Sequence, residues 1–325
     1  MSEQNDPLPS NSTVNGTPVA QATTVLPALT EELDELESPL PPESPEKAFA
    51  SGLIPRVNEF AATMLSPNSP ASAAPGQPFF DFDKVSIAFG SQRVLNKVSF
   101  HVPRGQTLCI LGRSGVGKSV SLRILLGFLK ADSGSVKVDG EEMTNLDERG
   151  LQKIRKRVTM VFQNGALFDS LTVGENIAFP LRERGGLAED QIQKLVSRLL
   201  DLVGASELSG KLPSSLSTGQ KRCIAIARAL AAQPEAILYD EPTTMVDPIM
   251  AHGIGDLIQR LKHQLGLTSI VVTHDMRFAL RLADLVLFLD AGDARFFGTL
   301  QQFQECPDPN VQDFLQLDSY VLPKI

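Results

Sequence analysis

A glycine-rich stretch of eight residues, 112–119, constrains the fold of this 325-residue chain more than any other feature. It matches the phosphate-loop pattern G-x-x-x-x-G-K-[ST]. The apolar run 106–111 before it is typical of a buried strand, and the run 121–126 after it is typical of a helix. In that context the backbone N–H groups of the loop and the positive end of the helix dipole bind phosphate. The stretch therefore predicts an α/β fold that binds a nucleotide.

Two side chains of the loop are expected to contact the nucleotide and its metal ion. Lys118 would reach the β- and γ-phosphates, and the Ser119 hydroxyl would bind Mg²⁺. A chance match is the alternative, and the flanking strand and helix argue against it. The other predicted contacts to the cofactor come from the loop and the residue after it: Gly112, Arg113, Ser114, Gly115, Val116, Gly117 and Val120.

Negative charge is concentrated in residues 1–78, which hold ten Asp and Glu but only two Lys and Arg. Their net charge of −8 equals that of the whole chain, so residues 79–325 carry no net charge. Nucleic-acid phosphates bind to basic surfaces. The charge balance therefore argues against a nucleic-acid-binding protein.

Residues 1–78 also hold 13 of the 22 prolines. Such a segment cannot bury enough apolar area to offset its ordering entropy, so it is predicted to be a disordered, acidic extension. One apolar patch at helical spacing interrupts it, and two interpretations stay open: a transient helix, or an amphipathic element that docks on a membrane or a membrane protein. The patch consists of Leu53, Val57, Phe60, Ala61, Met64 and Leu65.

Three cysteines without a C-x-x-C pair, Cys109, Cys223 and Cys306, fit a reducing compartment. The N-terminus lacks the basic and apolar regions of a signal peptide, and nowhere do 18 apolar residues run together. We therefore expect a cytoplasmic protein that does not span a membrane.

Apolar runs that alternate with helical patterns organise the rest of the chain. Two runs joined by a short turn, 79–89 and 94–102, predict a β-hairpin. Further strands alternating with helices are typical of a mostly parallel sheet covered on both faces. These strands are predicted at 106–111, 135–138, 158–163, 236–240, 269–273 and 285–289, and helices at 121–126, 189–203 and 219–232.

Two adjacent carboxylates end the apolar strand predicted at 236–240, which is the Walker B pattern. A strand of a parallel sheet delivers its last residues to the carboxyl edge, beside the phosphate loop. Asp240 would bind Mg²⁺ directly or through water, and Glu241 would orient and deprotonate the attacking water as a general base. A solvated strand end is the alternative for an isolated Asp-Glu pair. Together with the phosphate loop, the pair predicts nucleotide hydrolysis.

Residues 216–220, with the sequence LSTGQ, resemble the LSGGQ signature of ATP-binding-cassette (ABC) ATPases. In that family the signature of one subunit closes over ATP held by the phosphate loop of a second. The resemblance implies a head-to-tail dimer with two composite ATP sites, to which Ser217, Gly219 and Gln220 contribute. The chain departs from the family at Thr218, which replaces the first glycine of the signature.

The resemblance covers about residues 79–320. It implies an α/β fold, a P-loop NTPase of the ABC ATPase type, whose mostly parallel core sheet is covered by helices. An N-terminal antiparallel β subdomain and a helical, signature-bearing subdomain at about 165–232 would complete a domain at 79–304. Residues 305–325 would form a C-terminal helix and tail.

Four further positions match the family in order and spacing. Gln163 resembles the glutamine that senses Mg²⁺ and the attacking water, and His274 resembles the histidine that contacts the γ-phosphate. Asp247 is similar to the aspartate of the D-loop, although the family more often has a small residue and leucine before it. Phe89 resembles the aromatic residue that stacks on adenine, and a core aromatic is the alternative there.

Residues 164–181 resemble the permease-facing stretch of Mla/Mce-type lipid-transport ATPases, and residues 117–120 and 307–315 resemble the same branch. This resemblance implies the ATPase of a phospholipid or other lipid transporter, peripheral at the cytoplasmic face of the inner membrane. The implied partners are a second copy of the chain, an integral membrane permease, an MCE-domain lipid-binding protein and a STAS-type regulator. The last residues, 318–325, are open to two interpretations, a docking tail or a frayed end.

Other functions stay open beside lipid transport. An ABC ATPase for a polar solute such as an amino acid would share every motif above, as would an ATP-driven switch for an envelope or cell-division partner. A DNA-repair or translation ATPase would call for a coiled-coil insertion, two cassettes or a basic surface, and none is evident. The permease and lipid that co-purify with the chain would separate the transport functions.

Overall fold

The computed structural model describes residues 77–319. Nearly all of the predicted acidic extension, including its apolar patch at 53–65, lies outside the described residues, as does most of the predicted tail at 318–325. The predicted division of the chain at residues 78 and 304 stays a prediction.

The strands of the described part form two sheets. They are β1 (Phe80–Phe89), β2 (Gln92–Val102), β3 (Thr107–Leu111), β4 (Ser133–Val138), β5 (Glu141–Glu142), β6 (Val158–Val161), β7 (Ala236–Asp240), β8 (Thr268–Val272), β9 (Leu285–Asp290) and β10 (Asp293–Thr299). An antiparallel sheet has the order β2-β1-β4-β5, and a six-stranded sheet has the order β10-β9-β3-β8-β7-β6. In the larger sheet only β10 runs antiparallel to its neighbour. The predicted α/β fold, with a mostly parallel sheet and an antiparallel one, is therefore confirmed.

Helices cover the larger sheet and connect its strands. They are α1 (Lys118–Leu125), α2 (Glu148–Arg157), α3 (Val173–Arg184), α4 (Glu189–Leu202), α5 (Thr218–Ala231), α6 (Pro248–Leu265), α7 (Met276–Leu282), α8 (Leu300–Gln304) and α9 (Pro309–Ser319). Within residues 77–319, no helix is both long and apolar enough to cross a bilayer.

The central strand β3 shows why both faces of the larger sheet are covered. Cys109 and Leu111 join an apolar cluster built with α3 to α6, whereas Leu108 and Ile110 join a second cluster built with the antiparallel sheet. All four side chains are fully buried. A strand buried on both faces needs a continuous apolar run, and this explains the apolar sequence of β3. The phosphate loop begins directly after Leu111, the last residue of β3, and therefore lies at the carboxyl edge of the sheet.

One predicted strand is shorter in the structure. β6 ends at Val161 rather than at Gln163, because the chain turns there and the Gly165 N–H donates to the Phe162 carbonyl at 2.8 Å. Gln163 therefore lies in a turn beyond the strand, not at its last position.

Charged side chains join the two sheets at the amino edge of the larger one. Arg157, the last residue of α2, donates to Asp139 and to Glu235, and Arg104 donates to the same two carboxylates. The Arg104 guanidinium also lies 4.7 Å from the ring centroid of Phe79. Burial alone would raise the pKa of the Asp139 and Glu235 carboxyls, but hydrogen bonds from the two arginines hold both pKa values below the ordinary range.

We expect Arg157→Met to lower the free energy of unfolding at pH 7 by about 2–3 kcal/mol, because buried Asp139 loses a charged donor. The folded-state pKa values of both carboxyls are depressed, so this contribution is present at neutral pH and is lost as the pH falls below about 4. Urea unfolding between pH 7 and pH 3 measures it, with Arg149→Met as the exposed control. A deficit that stays constant over this range would contradict the assignment.

Candidate active site

The phosphate loop curls tightly because glycine occupies its sharpest positions. Gly112 and Gly117 have φ angles of 146° and 106°, in the region that favours glycine. A Cβ on Gly117 would lie 2.7 Å from Leu95 Cδ2 and 2.8 Å from the Val94 carbonyl oxygen. The start of β2 therefore packs directly against the loop. Of the other predicted loop contacts, Arg113, Ser114 and Gly115 are exposed, and Val116 and Val120 are half-buried.

The Lys118 ammonium lies at the mouth of this loop. Its side chain is 5% exposed, and Nζ donates to the carbonyls of Gly112 at 2.8 Å and Arg113 at 3.0 Å. Nζ also lies 3.6 Å from Glu241 Oε1. Burial lowers the pKa of Lys118, and the Glu241 carboxylate opposes that shift. The loop thus presents a cation beside the carboxylate predicted to be the general base.

Ser119 and Asp240 meet across the carboxyl edge of the sheet. Ser119 Oγ donates to Asp240 Oδ1 at 2.7 Å, although the two residues are 121 positions apart. Burial raises the pKa of Asp240, and the Ser119 hydrogen bond opposes that rise. A hydroxyl and a carboxylate oxygen are hard ligands, and Mg²⁺ binds through one or two protein oxygens with the remainder from phosphate and water. The pair fits a magnesium ion bound together with a nucleotide.

Glu241 is held in place through both its backbone and its side chain. Its φ angle of 48° is uncommon for a residue other than glycine, and its N–H donates to the Val272 carbonyl at 2.9 Å. Oε2 lies 2.8 Å from His274 Nδ1 and accepts a hydrogen bond from Thr244 Oγ1 at 3.1 Å. The carboxylate therefore has a fixed position beside Lys118 and Asp240, as a base for an attacking water requires.

Gln163 and Phe89 lie outside this hydrogen-bonded cluster. Gln163 is exposed, and β6 pairs with β7 so that Val161 lies opposite Tyr239. Gln163 therefore lies at the same sheet edge as Asp240. Phe89 ends β1 and is 49% exposed, so its ring lies outside the core and is accessible from solvent.

The signature residues and Asp247 make helix-cap hydrogen bonds away from the phosphate loop. Ser217 Oγ accepts a hydrogen bond from the Gln220 N–H at 3.2 Å, and Gln220 Oε1 accepts one from the Ser217 N–H at 3.0 Å, which forms a capping box at the start of α5. Asp247 caps α6 through the Met250 N–H at 2.9 Å. Within the described part of this subunit, no hydrogen bond or ion pair joins these residues to the phosphate loop.

The structure distinguishes the two middle positions of the signature. A Cβ on Gly219 would lie 3.0 Å from Met250 Cβ, so a side chain there would require Met250 of α6 to shift. Thr218 is exposed at the first position of α5. The chain therefore departs from the family pattern at Thr218, the position where the subunit has room for a side chain.

Sequence reasoning missed two threonines that support the site. Thr244 donates to Glu241, and buried Thr273 accepts from the Asp275 N–H at 3.0 Å beside His274. Thr244 lies one turn after Glu241, and a hydroxyl three residues from a candidate base is the signal that could have found it. Thr273 has no comparable signal, because it ends an apolar strand.

Comparisons with known proteins identify relatives of this chain. A family model described as "ABC transporter" matches residues 95–244. The methionine import ATP-binding protein MetN of Brucella abortus is 39% identical over 264 residues, which cover 81% of this chain and 70% of that protein. The intermembrane phospholipid transport system ATP-binding protein MlaF of Escherichia coli is 37% identical over 235 residues, which cover 72% of this chain and 87% of that protein. A dimeric structure of the ATP-binding cassette MJ0796 in a post-hydrolysis state, bound to ADP and Pi, aligns with a TM-score of 0.64 and 31% identity, over 68% of this chain and 98% of that one.

The fold and the cluster of Lys118, Ser119, Asp240 and Glu241 define a P-loop ATPase that uses MgATP. The chain belongs to the ABC transporter family, and it is the ATP-hydrolysing subunit of such a transporter.

Proposed function

We propose that this ATPase drives the movement of a phospholipid or another hydrophobic lipid, as the nucleotide-binding subunit of a Mla/Mce-type transporter. The observation that carries the proposal is the surface formed by residues 164–181, whose sequence resembles the permease-facing stretch of that branch. The similarity to MlaF over 87% of that protein supports it.

Asn176 fixes the shape of this surface. Its side chain is fully buried, and its amide nitrogen donates to the carbonyls of Phe168, Leu171 and Thr172 at 3.0 to 3.1 Å. Its Oδ1 accepts a hydrogen bond from the Phe168 N–H at 2.8 Å. These bonds hold Phe168 beside Phe179, with 5.0 Å between the ring centroids. Hydrogen bonds to Asn176 therefore give the loop at 168–172 a defined conformation.

Phe168 and Phe179 border an apolar groove of about 380 Å³. The two rings are 44% and 40% exposed, and exposed aromatic side chains on an apolar surface mark sites for protein partners. We infer that the permease docks in this groove, called the partner groove below. Its lining residues are Leu126, Phe128, Arg155, Val158, Thr159, Met160, Phe162, Ala166, Phe168, Phe179, Pro180, Ala225, Arg228, Ala229 and Ala232.

Replacing Phe179 by aspartate should weaken capture of the permease by about 30-fold or more, because a charge is placed at the aromatic border of the groove. Basal ATP hydrolysis by the full chain should stay within about twofold, since Phe179 does not contact the nucleotide site. Co-purification from membranes measures the first effect and phosphate release the second. Leu187→Asp, at an apolar residue exposed outside the groove, is the control. Permease capture equal to that of the control would exclude the groove as the docking site.

The transported compound is tested with the intact complex. The full chain is purified with its permease and reconstituted in vesicles that contain a fluorescent phospholipid. We expect MgATP-dependent movement of the lipid and none with the Glu241→Gln chain. Uptake of labelled methionine without lipid movement would contradict the proposal of lipid transport and support the second candidate, amino-acid import. The 39% identity to MetN is the observation that favours that candidate.

The proposal places the chain peripherally at the cytoplasmic face of the inner membrane. Its further partners would be an MCE-domain lipid-binding protein and a STAS-type regulator, as in the branch that residues 164–181 resemble. The identity of the proteins recovered with the complex described above tests these two partners.

We also propose that two copies form composite ATP sites. Ser217, Gly219, Gln220 and Asp247 of one copy would approach the nucleotide on the phosphate loop of the other, with Gln163 and His274 at the hydrolysed phosphate and Phe89 on adenine. Two observations support this arrangement: the relative MJ0796 has been solved as a dimer, and within one subunit no hydrogen bond or ion pair of the described residues joins the signature to the phosphate loop.

Ser217→Arg should leave ATP binding by the separated subunit within about twofold but lower ATP-driven dimerisation and turnover by about 100-fold, because the long side chain stands where the second copy must approach. The substitution also removes the cap of α5, which costs about 0.5–2 kcal/mol. Thr299→Arg, which removes the equivalent capping box of α8, controls for this loss. Size-exclusion chromatography with MgATP reports closure, and a variant that dimerises normally would count against the contact.

A further inference from the structure

The exposed face of α2 carries three cations and no carboxylate. Arg149, Lys153 and Lys156 are all exposed, and their spacing of four and three residues places them on one face of the helix. Gln152, which is also exposed, lies on the same face. The buried residue of α2 is Ile154, so this face is turned away from the core. Arg149, Gln152, Lys153 and Lys156 together are called the basic face below.

The carboxylates at the start of α2 already have partners. Glu148 Oε1 lies 2.6 Å from Arg155 Nη1, and Asp147 Oδ1 caps the helix by accepting a hydrogen bond from the Gly150 N–H at 2.8 Å. Within residues 77–319, no residue forms a hydrogen bond or an ion pair with the side chains of the three cations of the basic face. Their charge is therefore available to an anionic ligand.

The basic face lies beside the partner groove. Arg155 belongs to the same helix, and its guanidinium lies 4.9 Å from the ring centroid of Phe128. Both residues line the groove, and Phe128 is half exposed. A fourth exposed cation, Lys130, follows Phe128 by two residues and lines a cavity of about 240 Å³ together with Leu151 of α2. A membrane protein that docks in the groove therefore turns this side of the subunit toward the bilayer.

We propose that the basic face binds the anionic headgroups of phospholipids in the bilayer around the permease. The phosphate diesters supply the counterions that the subunit lacks. The planar guanidinium of Arg149 suits two phosphate oxygens, and the two lysine ammonium groups act as point charges. The long aliphatic stems let these groups reach the headgroups while the helix stays in water. The proposal rests on the partner groove as the docking site, because that contact turns α2 toward the membrane.

The surroundings of the basic face favour lipid over other anions. Anionic lipids give the cytoplasmic leaflet a negative surface potential, which attracts clusters of Lys and Arg. The cytoplasmic loops of membrane proteins carry an excess of Lys and Arg themselves, so they repel the basic face rather than pair with it. Nucleic acid requires a broad basic surface, whereas residues 79–325 carry no net charge. An anionic bilayer surface is therefore the ligand that fits.

The net charge of the chain makes the basic face testable without the permease. The full chain has a net charge of −8, so an anionic vesicle repels it unless a local cluster of cations faces the surface. Charges farther away than a Debye length, about 10 Å in 0.1 M salt, are largely screened, whereas cations at the surface keep their attraction. Binding of the full chain to anionic vesicles therefore reports a local basic surface.

The test measures co-sedimentation of the full chain with vesicles in about 0.1 M salt. Vesicles of phosphatidylcholine mixed with an equal amount of phosphatidylglycerol are compared with vesicles of phosphatidylcholine alone. We expect wild type to prefer the mixed vesicles. The triple variant Arg149→Gln, Lys153→Gln, Lys156→Gln should partition onto them about 100-fold less, because each cation at the surface contributes about fivefold.

The matched control is the triple variant Lys84→Gln, Lys97→Gln, Lys194→Gln, which removes the same charge from exposed positions of β1, β2 and α4. Its partitioning should stay within about threefold of wild type, because these lysines lie outside the basic face. All six substituted positions are exposed, so both variants should fold and hydrolyse ATP in solution within about twofold of wild type.

Equal partitioning of the two triple variants would overturn the proposal, as would wild-type binding without a preference for the mixed vesicles. Binding that persists in about 1 M salt would also overturn it, because the Debye length is then about 3 Å. Retention of a DNA duplex in place of the vesicles would assign the basic face to nucleic acid instead. Permease capture by Phe179→Asp is measured separately, so a wrong docking site and a wrong lipid contact are distinguishable.

Discussion

Replacing Glu241 by glutamine should stop ATP turnover while leaving ATP bound between two closed subunits. The amide keeps the size of the carboxylate and can still contact His274 and Thr244, which lie 2.8 and 3.1 Å from the Glu241 oxygens. It cannot take a proton from water, so phosphate release should fall about 100- to 10,000-fold. Phosphate release and size-exclusion chromatography with MgATP measure the two effects. Glu305→Gln, which changes an exposed carboxylate after α8, should behave as wild type. Near-normal turnover by Glu241→Gln would rule out its role as the base.

Removing the Lys118 ammonium should have a comparably large effect, at the binding step as well as the chemical one. Nζ lies 3.6 Å from Glu241 Oε1 and donates to two carbonyls of the loop, so its loss takes a buried side-chain cation from the mouth of the loop. We expect Lys118→Ala to lower ATP affinity or turnover about 100- to 1000-fold. Calorimetric ATP titration and phosphate release measure it, with exposed Lys153→Ala as the control. ATP binding and turnover equal to wild type would contradict the phosphate-loop assignment.

The sequence predicts those elements whose local pattern and final environment agree. β3 and β7 are continuous apolar runs because they are buried on both faces, and α4 and α5 carry wide apolar stripes. Helix α2 was missed, since only Ile154 of its ten residues is buried and its surface is highly charged. Helix α3 contains Pro180, and α6 contains two glycines, and such residues disfavour a helix interior. Tertiary packing overrides local preference in these helices.

The site also contains residues that a local motif predicts and residues that only the fold brings together. The phosphate loop and the Asp240-Glu241 pair are short contiguous motifs, so their residues could be predicted and the structure brings them together. The positive φ of Glu241 and its Thr244 partner depend on a turn that no motif specifies. The partner groove is assembled from β6, α3, α5 and the end of α1, so its shape is available only from the fold.

The most direct test of the account mixes two inactive full-length variants, Lys118→Ala and Ser217→Arg. If ATP is held between the phosphate loop of one copy and the signature of the other, a mixed head-to-tail dimer has one site with both lesions and one site with neither. Random mixing should then restore about a quarter of wild-type turnover, because half of the dimers are mixed and each has one intact site. Phosphate release from the equimolar mixture gives the answer. Turnover that stays at the level of the separate variants at every mixing ratio would contradict an ATP site shared between two copies.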